Sequence, residues 1–597
     1  MNKGILLFLF FTFFALLPAQ QKPVQIAFLS DVHFQDLYGS FSDHEFKGIL
    51  NPKTGKYTIL RTMDSQLHST RIFNENYFAF LKALDDIASK GIKIVAMPGD
   101  FSDDGQAYNL RGLHKILEQY HKKYGIDFYM TTGNHDPVGP FRQDAGKDDF
   151  LGQDGNPLGI YSKENIGRSK STIITKDIAE SGYLEIVNEL KEFGFYPKKE
   201  NVFWGTPFGF QSVRNYSYEK ALQSAHYSQR MYEVSKGFSV PDLSYVVEPV
   251  KGVWMVAIDG NTYLPKNINE NPKNPSNYKG ASIGYNNVLS HKKHLIEWIR
   301  KITQEAKANG KTVIAFTHYP MIDFNDGATE EIKSLLGEKK WQLERVPEEE
   351  VAKAFAESGL QIHFAGHMHI NDTGIRKNGD NMLVNVQVPS LAAYLPAYKV
   401  LTVQSPDLME VRTEVLNEVP HFDDLFPLYE KEYETLKKDK NKIIWNKDIL
   451  QSKSYHDFML FHLKELVRLR MIPDDWPKDF IEKAQKLTGE ELLLLIANKN
   501  QLKEKNIHSE TFRTWTFEDI LFDLYKFQSA DELAKKDIPK ERLQQYQILE
   551  KLYQENQSQE PFIVQLKSLF TILGLLSNGD PADHFEIDLK KQEIRKL

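Results

Sequence analysis

Short apolar runs that stop at glycine, proline or a polar, ligand-type residue recur along the chain at 24–30, 91–97, 128–132, 313–317 and 362–365. Runs of that length and bounding are the signature of buried β-strands. Between them, residues 76–90, 110–124 and 291–309 repeat apolar side chains every third or fourth position, the helical period. Alternating strand and helix predicts crossover units and a largely parallel sheet. Further strand-like runs at 383–388 and 399–415 close the region. Two more, 245–247 and 253–258, are joined by Pro249-Val250-Lys251-Gly252 and predict a hairpin. The stretch 137–244 reads as an insertion; because it starts directly after His135-Asp136, it is expected to wall the site those residues belong to. Residues 261–286, dense in Asn, Pro and Lys, read as a loop.

Beyond about residue 420 the pattern becomes helical throughout, with amphipathic segments at 425–438, 455–469, 476–487, 488–498, 517–526, 540–554 and 561–576 and a strand pair expected over 585–597. A separate α-helical C-terminal domain over 421–597 is the expectation. At the other end, Lys3 precedes an apolar run of about 13 residues and a small-residue stretch, Pro18-Ala19-Gln20. That run is short of the roughly 20 residues a membrane-spanning helix needs. Residues 1–20 therefore read as a signal peptide, with export to the periplasm or the extracellular space. No span is expected in the mature chain.

Composition narrows the chemistry. The 597 residues include 74 Lys+Arg against 81 Asp+Glu, a net charge of −7. That mildly acidic balance argues against a nucleic-acid partner, which needs a basic face. Cysteine is absent, so thiolate metal sites, thiol nucleophiles and disulfides are excluded. Any metal must be held by His, Asp, Glu or Asn.

Each of the five strand-like runs delivers such ligands at its C-terminal end: Asp31 and His33, Asp100, Asn134, His318, and His367 with His369. Functional groups of open α/β sheets gather at that edge. In Asp31-x-His33 and His367-x-His369, period-two alternation along an extended segment would turn both members to one side. Asp100 can offer both carboxylate oxygens and bridge two cations about 3.5–4 Å apart. Oxygen and imidazole donors suit Mn, Fe, Zn or Mg. A lone His363 inside a strand-like run reads instead as a packed core residue.

The blocks Asp31-Val-His33, Gly99-Asp100-Phe-Ser-Asp103, Gly133-Asn134-His135-Asp136, His318 and Gly366-His367-Met-His369 resemble, in order, those of the calcineurin-like metallophosphoesterases. The resemblance covers roughly 24–415 and leaves the helical region unexplained. It implies an α/β fold, a four-layer α/β/β/α sandwich over 22–416. It further implies two divalent ions (Mn, Fe or Zn), the first held by Asp31, His33, Asp100 and His369, the second by Asp100, Asn134, His318 and His367. A hydroxide bridging such ions would attack phosphorus, with His135 as general acid toward the leaving group. In related enzymes the second acid of the Gly-Asp block orients that histidine, which makes Asp103 the expected partner and Asp136 the alternative. Purple acid phosphatases carry a tyrosine ligand where Asp103 stands, so their iron–tyrosinate centre is not expected. Arg71 and Asn134 are candidates to bind substrate phosphate. The function expected is hydrolysis of a small phosphomonoester or phosphodiester. A lipid-head-group or nucleic-acid diesterase, and an inactive binding protein of the same fold, are the alternatives.

Overall fold

A computed structural model describes residues 23–167, 172–439 and 443–597; the expected signal peptide lies outside them. Fourteen strands form two seven-stranded sheets: β1 (Val24–Phe28), β2 (Ile94–Pro98), β3 (Asp127–Thr131), β4 (Phe203–Gly205), β5 (Tyr245–Val250), β6 (Val253–Ile258), β7 (Thr312–Thr317), β8 (Ile362–Ala365), β9 (Asp372–Asn378), β10 (Asn381–Gln387), β11 (Ala397–Ser405), β12 (Leu408–Val415), β13 (His584–Asp588) and β14 (Glu593–Lys596). The first sheet runs β14-β13-β12-β11-β1-β2-β3 and the second β9-β10-β8-β7-β6-β5-β4. The strand–helix alternation holds, but the largely parallel sheet does not. Parallel pairs occupy only β1-β2-β3 and β6-β7-β8-β10; the remaining neighbours are antiparallel. Hairpins such as β5–β6 and β11–β12 add strands without a crossover helix, and such strands pair antiparallel.

The sheets pack face to face. Phe28 of β1 stacks on Phe364 of β8 with ring centroids 3.7 Å apart, inside an apolar core shared by Ile26, Met97, Ile314 and Val386. Strands buried on both faces lose the polar–apolar alternation, which is why β2 and β6 are buried at every position. Helices Asn76–Ser89 and Ala107–Tyr124 join the core on the first sheet. Helices Lys293–Ala308 and Glu349–Glu357 cover the outer face of the second, over Trp254, Val256 and Ile258. The result is an α/β/β/α sandwich.

Among its described residues the inserted stretch contains a β-hairpin (Gly146–Leu151 with Pro157–Tyr161), helix Tyr183–Leu190, and β4, which extends the second sheet. The C-terminal helices Phe517–Ala530, Lys540–Glu555 and Pro561–Leu576 bury an apolar cluster of their own, which also takes in Ile332, Leu335 and Leu395 of the sandwich region. The expected terminal strand pair forms as β13–β14 and adds to the edge of the first sheet through β12. Helix Phe426–Leu436 packs into the main core, where the Glu432 carboxylate accepts the backbone N–H groups of Met63 and Asp64 at 2.7 and 2.9 Å. No helix among the described residues is long and apolar enough to cross a membrane.

Candidate active site

All seven proposed ligands meet at the C-terminal edge of the two sheets, following β1, β2, β3, β7 and β8. His33 Nε2 and His369 Nε2 are 3.1 Å apart, and His369 Nε2 lies 3.4 Å from Asp31 Oδ1. A second group surrounds His318 Nε2, which is 3.1 Å from Asn134 Oδ1, 3.1 Å from His367 Nδ1 and 3.2 Å from Asp100 Oδ2. Asp100 Oδ2 is also 3.7 Å from His33 Nε2, so this carboxylate stands between the two groups. Asp31, His33, Asp100 and His318 are 2 % exposed or less.

The backbone that achieves this is not extended. Asp31, His33, Asp100, His367 and His369 have φ of 50°, 42°, 48°, 72° and 60°, in a region that non-glycine residues adopt rarely. Asp31 Oδ1 and His33 Nε2 approach to 4.0 Å, while His367 joins His318 and His369 joins His33; neither pair is set by strand alternation. They sit past the strand ends, on backbone turned left-handed at both positions. Such strain, roughly 1–3 kcal/mol per residue, persists where the surroundings over-determine it and is concentrated at functional sites. Two motif glycines have a steric cause: a Cβ on Gly133 would lie 2.1 Å from Asp100 Oδ1, and one on Gly366 1.9 Å from Ser30 Oγ and 2.2 Å from Asp31 Oδ2.

Hydrogen bonds fix which ring atoms face inward. A ring nitrogen against a carbonyl must carry the proton, which leaves the lone pair on the other nitrogen. His318 Nδ1 lies 3.2 Å from Pro98 O, His367 Nε2 2.9 Å from Ser282 O, and His369 Nδ1 3.3 Å from Thr70 O. The inward atoms are therefore His318 Nε2, His367 Nδ1 and His369 Nε2. Two lone pairs 3.1 Å apart repel unless positive charge lies between them. Two nitrogens each about 2.1 Å from one ion and 90–109° apart would be roughly 3.0–3.4 Å from each other, the spacing seen. Carbonyls behind the ring are also how metal-ligating histidines are oriented. The electrostatics agree. Burial opposes charge on Asp100, yet His318 and His135 hold its carboxyl well below the usual range. Burial pushes His33 and His367 well below the ordinary imidazole value. Burial would lower His318 too, but Asp100 overrides it and raises it. Four imidazoles, two carboxylates and one amide thus fit a pair of divalent cations.

His135 is in place, 28 % exposed, but its partner is not the one expected. His135 Nδ1 is 2.5 Å from Asp104 Oδ1, and Asp104 also binds Lys147. Asp103 turns away: its Oδ2 accepts from Arg61 Nη1 at 3.1 Å and its Oδ1 from Arg71 Nη2 at 3.3 Å. The turn is the reason, since Asp104 and Gly105 are successive left-handed residues, φ 56° and 62°. Asp136, the alternative, uses Oδ2 to accept the Phe101 N–H at 3.1 Å, and burial together with the Asp100 charge raises its carboxyl well above the usual value.

Arg71, Asp100, Asn134, His135, His367 and His369 line one pocket of ≈ 220 Å³, completed in part by Arg345 and Arg470. Sequence reasoning did not find these last two, nor Lys147 and Asp104. Tyr319 does not line this pocket; it is buried, donates to Asn261 Oδ1 at 2.5 Å and packs edge-on against His318 and His367. His363 is a core residue, hydrogen-bonded to Asn385 at 2.7 Å.

The family model for calcineurin-like phosphoesterases matches residues 24–223, the span that holds Asp31, His33, Asp100, Asn134 and His135; the later histidines join them only in three dimensions. Similar solved structures include a dimetal phosphatase from Danio rerio (10% identity, TM-score 0.33, covering 66% of this chain and 97% of that one). A purple acid phosphatase from yellow lupin (Lupinus luteus) seeds aligns at 10% identity and TM-score 0.28, covering 66% and 52%. GAP50, the anchor in the inner membrane complex of Plasmodium, aligns at 10% identity and TM-score 0.25, covering 66% and 84%. No curated protein matches the chain.

Proposed function

We propose that this chain, whose residues 24–223 match the family model for calcineurin-like phosphoesterases, is a metal-dependent phosphoesterase, an exported hydrolase of small phosphoesters. The apolar stretch at 1–20 supports export to the periplasm or outside the cell. Asp31, His33, Asp100 and His369 would hold one divalent ion, and Asp100, Asn134, His318 and His367 the other. Bound there, such ions supply a nucleophile at neutral pH and neutralise charge on the phosphoryl oxygens.

The rest of the chemistry belongs to side chains. Arg71 presents a guanidinium to the pocket while Asp103 holds it, a geometry suited to grip a phosphoryl oxygen. Asp104 keeps the Nδ1 proton of His135 in place, which leaves Nε2 as the ring atom that protonates the departing alkoxide. Arg61 binds Asp149 and Asp103 together and so fixes the Asp103–Arg71 pair. The small pocket favours a low-molecular-weight ester over a folded phosphoprotein.

The observation that carries this reading is the inward convergence of the His318 and His367 lone pairs beside the shared Asp100 carboxylate. Its test is elemental analysis of the purified protein together with turnover of p-nitrophenyl phosphate and bis-p-nitrophenyl phosphate, with Mn, with Zn and without metal. About two divalent ions per chain and metal-dependent release of nitrophenol are expected, both lost in Asp100→Asn. Failure to take up metal, with no turnover of either ester, would overturn it and favour a binding protein of the same fold. The ratio of the two rates separates monoesterase from diesterase.

A further inference from the structure

The pocket holds more cationic charge than one phosphoryl group requires. Arg71, which lines it, is tied to Asp103, a carboxylate that Arg61, outside the lining, also binds. Arg345 differs. It lies in the same pocket, its Nε is buried with no hydrogen-bond partner, and no ion pair within 4.0 Å holds it among the described residues. Burial draws its guanidinium below the usual range. The residue is half-buried, with the charge of the neighbouring Glu344 acting to hold its guanidinium ionised; a partly desolvated cation whose Nε lacks a partner is favoured where an anionic ligand completes it.

Arg470 reaches the pocket from the C-terminal helical region. It sits in a π-helical turn, Val467–Met471, between helices Tyr455–Leu466 and Ile472–Asp475; such turns are frequent at functional sites. Its Nη1 donates to His68 O at 3.1 Å, and its nearest carboxylate, Asp474, is 3.7 Å from Nε and largely exposed. The same region also props Arg345. The 3₁₀ turn Leu343–Arg345 follows two left-handed residues, Trp341 and Gln342, both at φ 56°. The Trp341 ring is buried 4.8 Å from that of Tyr525, on helix Phe517–Ala530. The only carboxylate lining the pocket is Asp100, which the metal site uses.

We propose that Arg345 and Arg470 form a second anion subsite, and that the preferred substrate is a phosphoester whose leaving group carries a further phosphate. This deepens the reading of the site as a phosphoesterase and rests on it. The helical region then serves as the wall that selects the substrate: it supplies Arg470 directly and Arg345 through the Trp341–Tyr525 contact. The second phosphate can be a separate ester or the neighbour in a diphosphate; both present anionic phosphoryl oxygens to a guanidinium pair.

The test compares steady-state kinetics of the metal-loaded full-length enzyme on a hexose 6-phosphate, the matching hexose 1,6-bisphosphate and a nucleoside diphosphate, at fixed ionic strength. Wild-type kcat/KM is expected to favour one or both two-phosphate compounds by at least about tenfold, since charge-assisted hydrogen bonds are the strong ones. That ratio should collapse toward one in Arg345→Gln and in Arg470→Ala, through KM rather than kcat, with Arg470→Lys retaining part of it. Arg470 is partly exposed, so its variants keep the test alive if Arg345→Gln misfolds. A bisphosphate preference that survives both substitutions, equal losses on all three substrates, or turnover of the hexose 6-phosphate with no wild-type preference would each overturn the second subsite while leaving the phosphoesterase reading intact. No turnover of any phosphoester under any metal would remove both.

Discussion

Replacing Asp104 by Asn tests whether the proposed general acid His135 is oriented by Asp104, its neighbour in the structure, or by Asp103, the partner expected from motif order. The 2.5 Å contact between Asp104 Oδ1 and His135 Nδ1 is charge-assisted and largely buried, and bonds of that kind contribute about 1.5–3 kcal/mol. At 1.36 kcal/mol per decade, Asp104→Asn should slow the proton-dependent step about 10- to 150-fold. His135→Ala removes the acid itself and should cost roughly 10²–10⁴-fold. Both losses depend on the leaving group: they should be full on an alkyl phosphate, whose alkoxide must be protonated, and small on p-nitrophenyl phosphate, whose phenolate departs unaided. Asp103→Asn would act through Arg71, the residue proposed to bind the phosphoryl group, so its loss should be similar on the two esters. The assay is kcat on both substrates for wild type and the three variants, with bound metal measured alongside. A leaving-group-dependent loss in Asp103→Asn and a uniform one in Asp104→Asn would refute the assignment.

Three other outcomes follow from packing and charge. Gly133→Ala should release bound metal, because its Cβ would lie 2.1 Å from Asp100 Oδ1; full metal content by elemental analysis would contradict the steric argument. Tyr429→Phe removes the hydroxyl that donates to Glu75 Oε1 at 2.7 Å and accepts from Asn74 Nδ2 at 2.9 Å, all fully buried. A loss of roughly 1–3 kcal/mol should appear as a lower melting temperature, and an unchanged melt would count against this seam. Asp326 is raised from 3.8 to about 7 by burial and by the charges of Asp580 and Asp323. A raised carboxyl contributes stability below its unfolded value that is lost as pH climbs through about 7, up to roughly 4 kcal/mol. Asp326→Asn should therefore melt above wild type at pH 8 with the gap closing toward pH 4; parallel curves across that range would refute it.

The candidate metal ligands could be read from the chain because each follows an apolar run by one to four residues, and a strand end delivers its next side chains to one edge of a sheet whatever lies elsewhere. The glycines of the same blocks mark where backbone must pass within contact distance of Asp31 and Asp100. Local coupling of that kind is written in sequence order. What surrounds the metals is not. Whether Asp103 or Asp104 faces His135 depends on a left-handed turn and on Lys147, supplied by a hairpin more than 40 residues away, with Arg61 drawing Asp103 the other way. Arg345 and Arg470 carry no motif; Arg345 follows a turn whose Trp341 packs on Tyr525, and Arg470 stands in a π-helical turn of the C-terminal region. The antiparallel flanks of the sheets, and the return of β13 to β12 from some 170 residues downstream, likewise depend on which edges remain open after the core has formed. Sequence alone determined the chemistry and the edge at which it gathers. Tertiary packing decided which acid meets His135, which arginines reach the pocket and how the C-terminal helices dock, because those contacts join residues whose separation along the chain leaves no periodic trace.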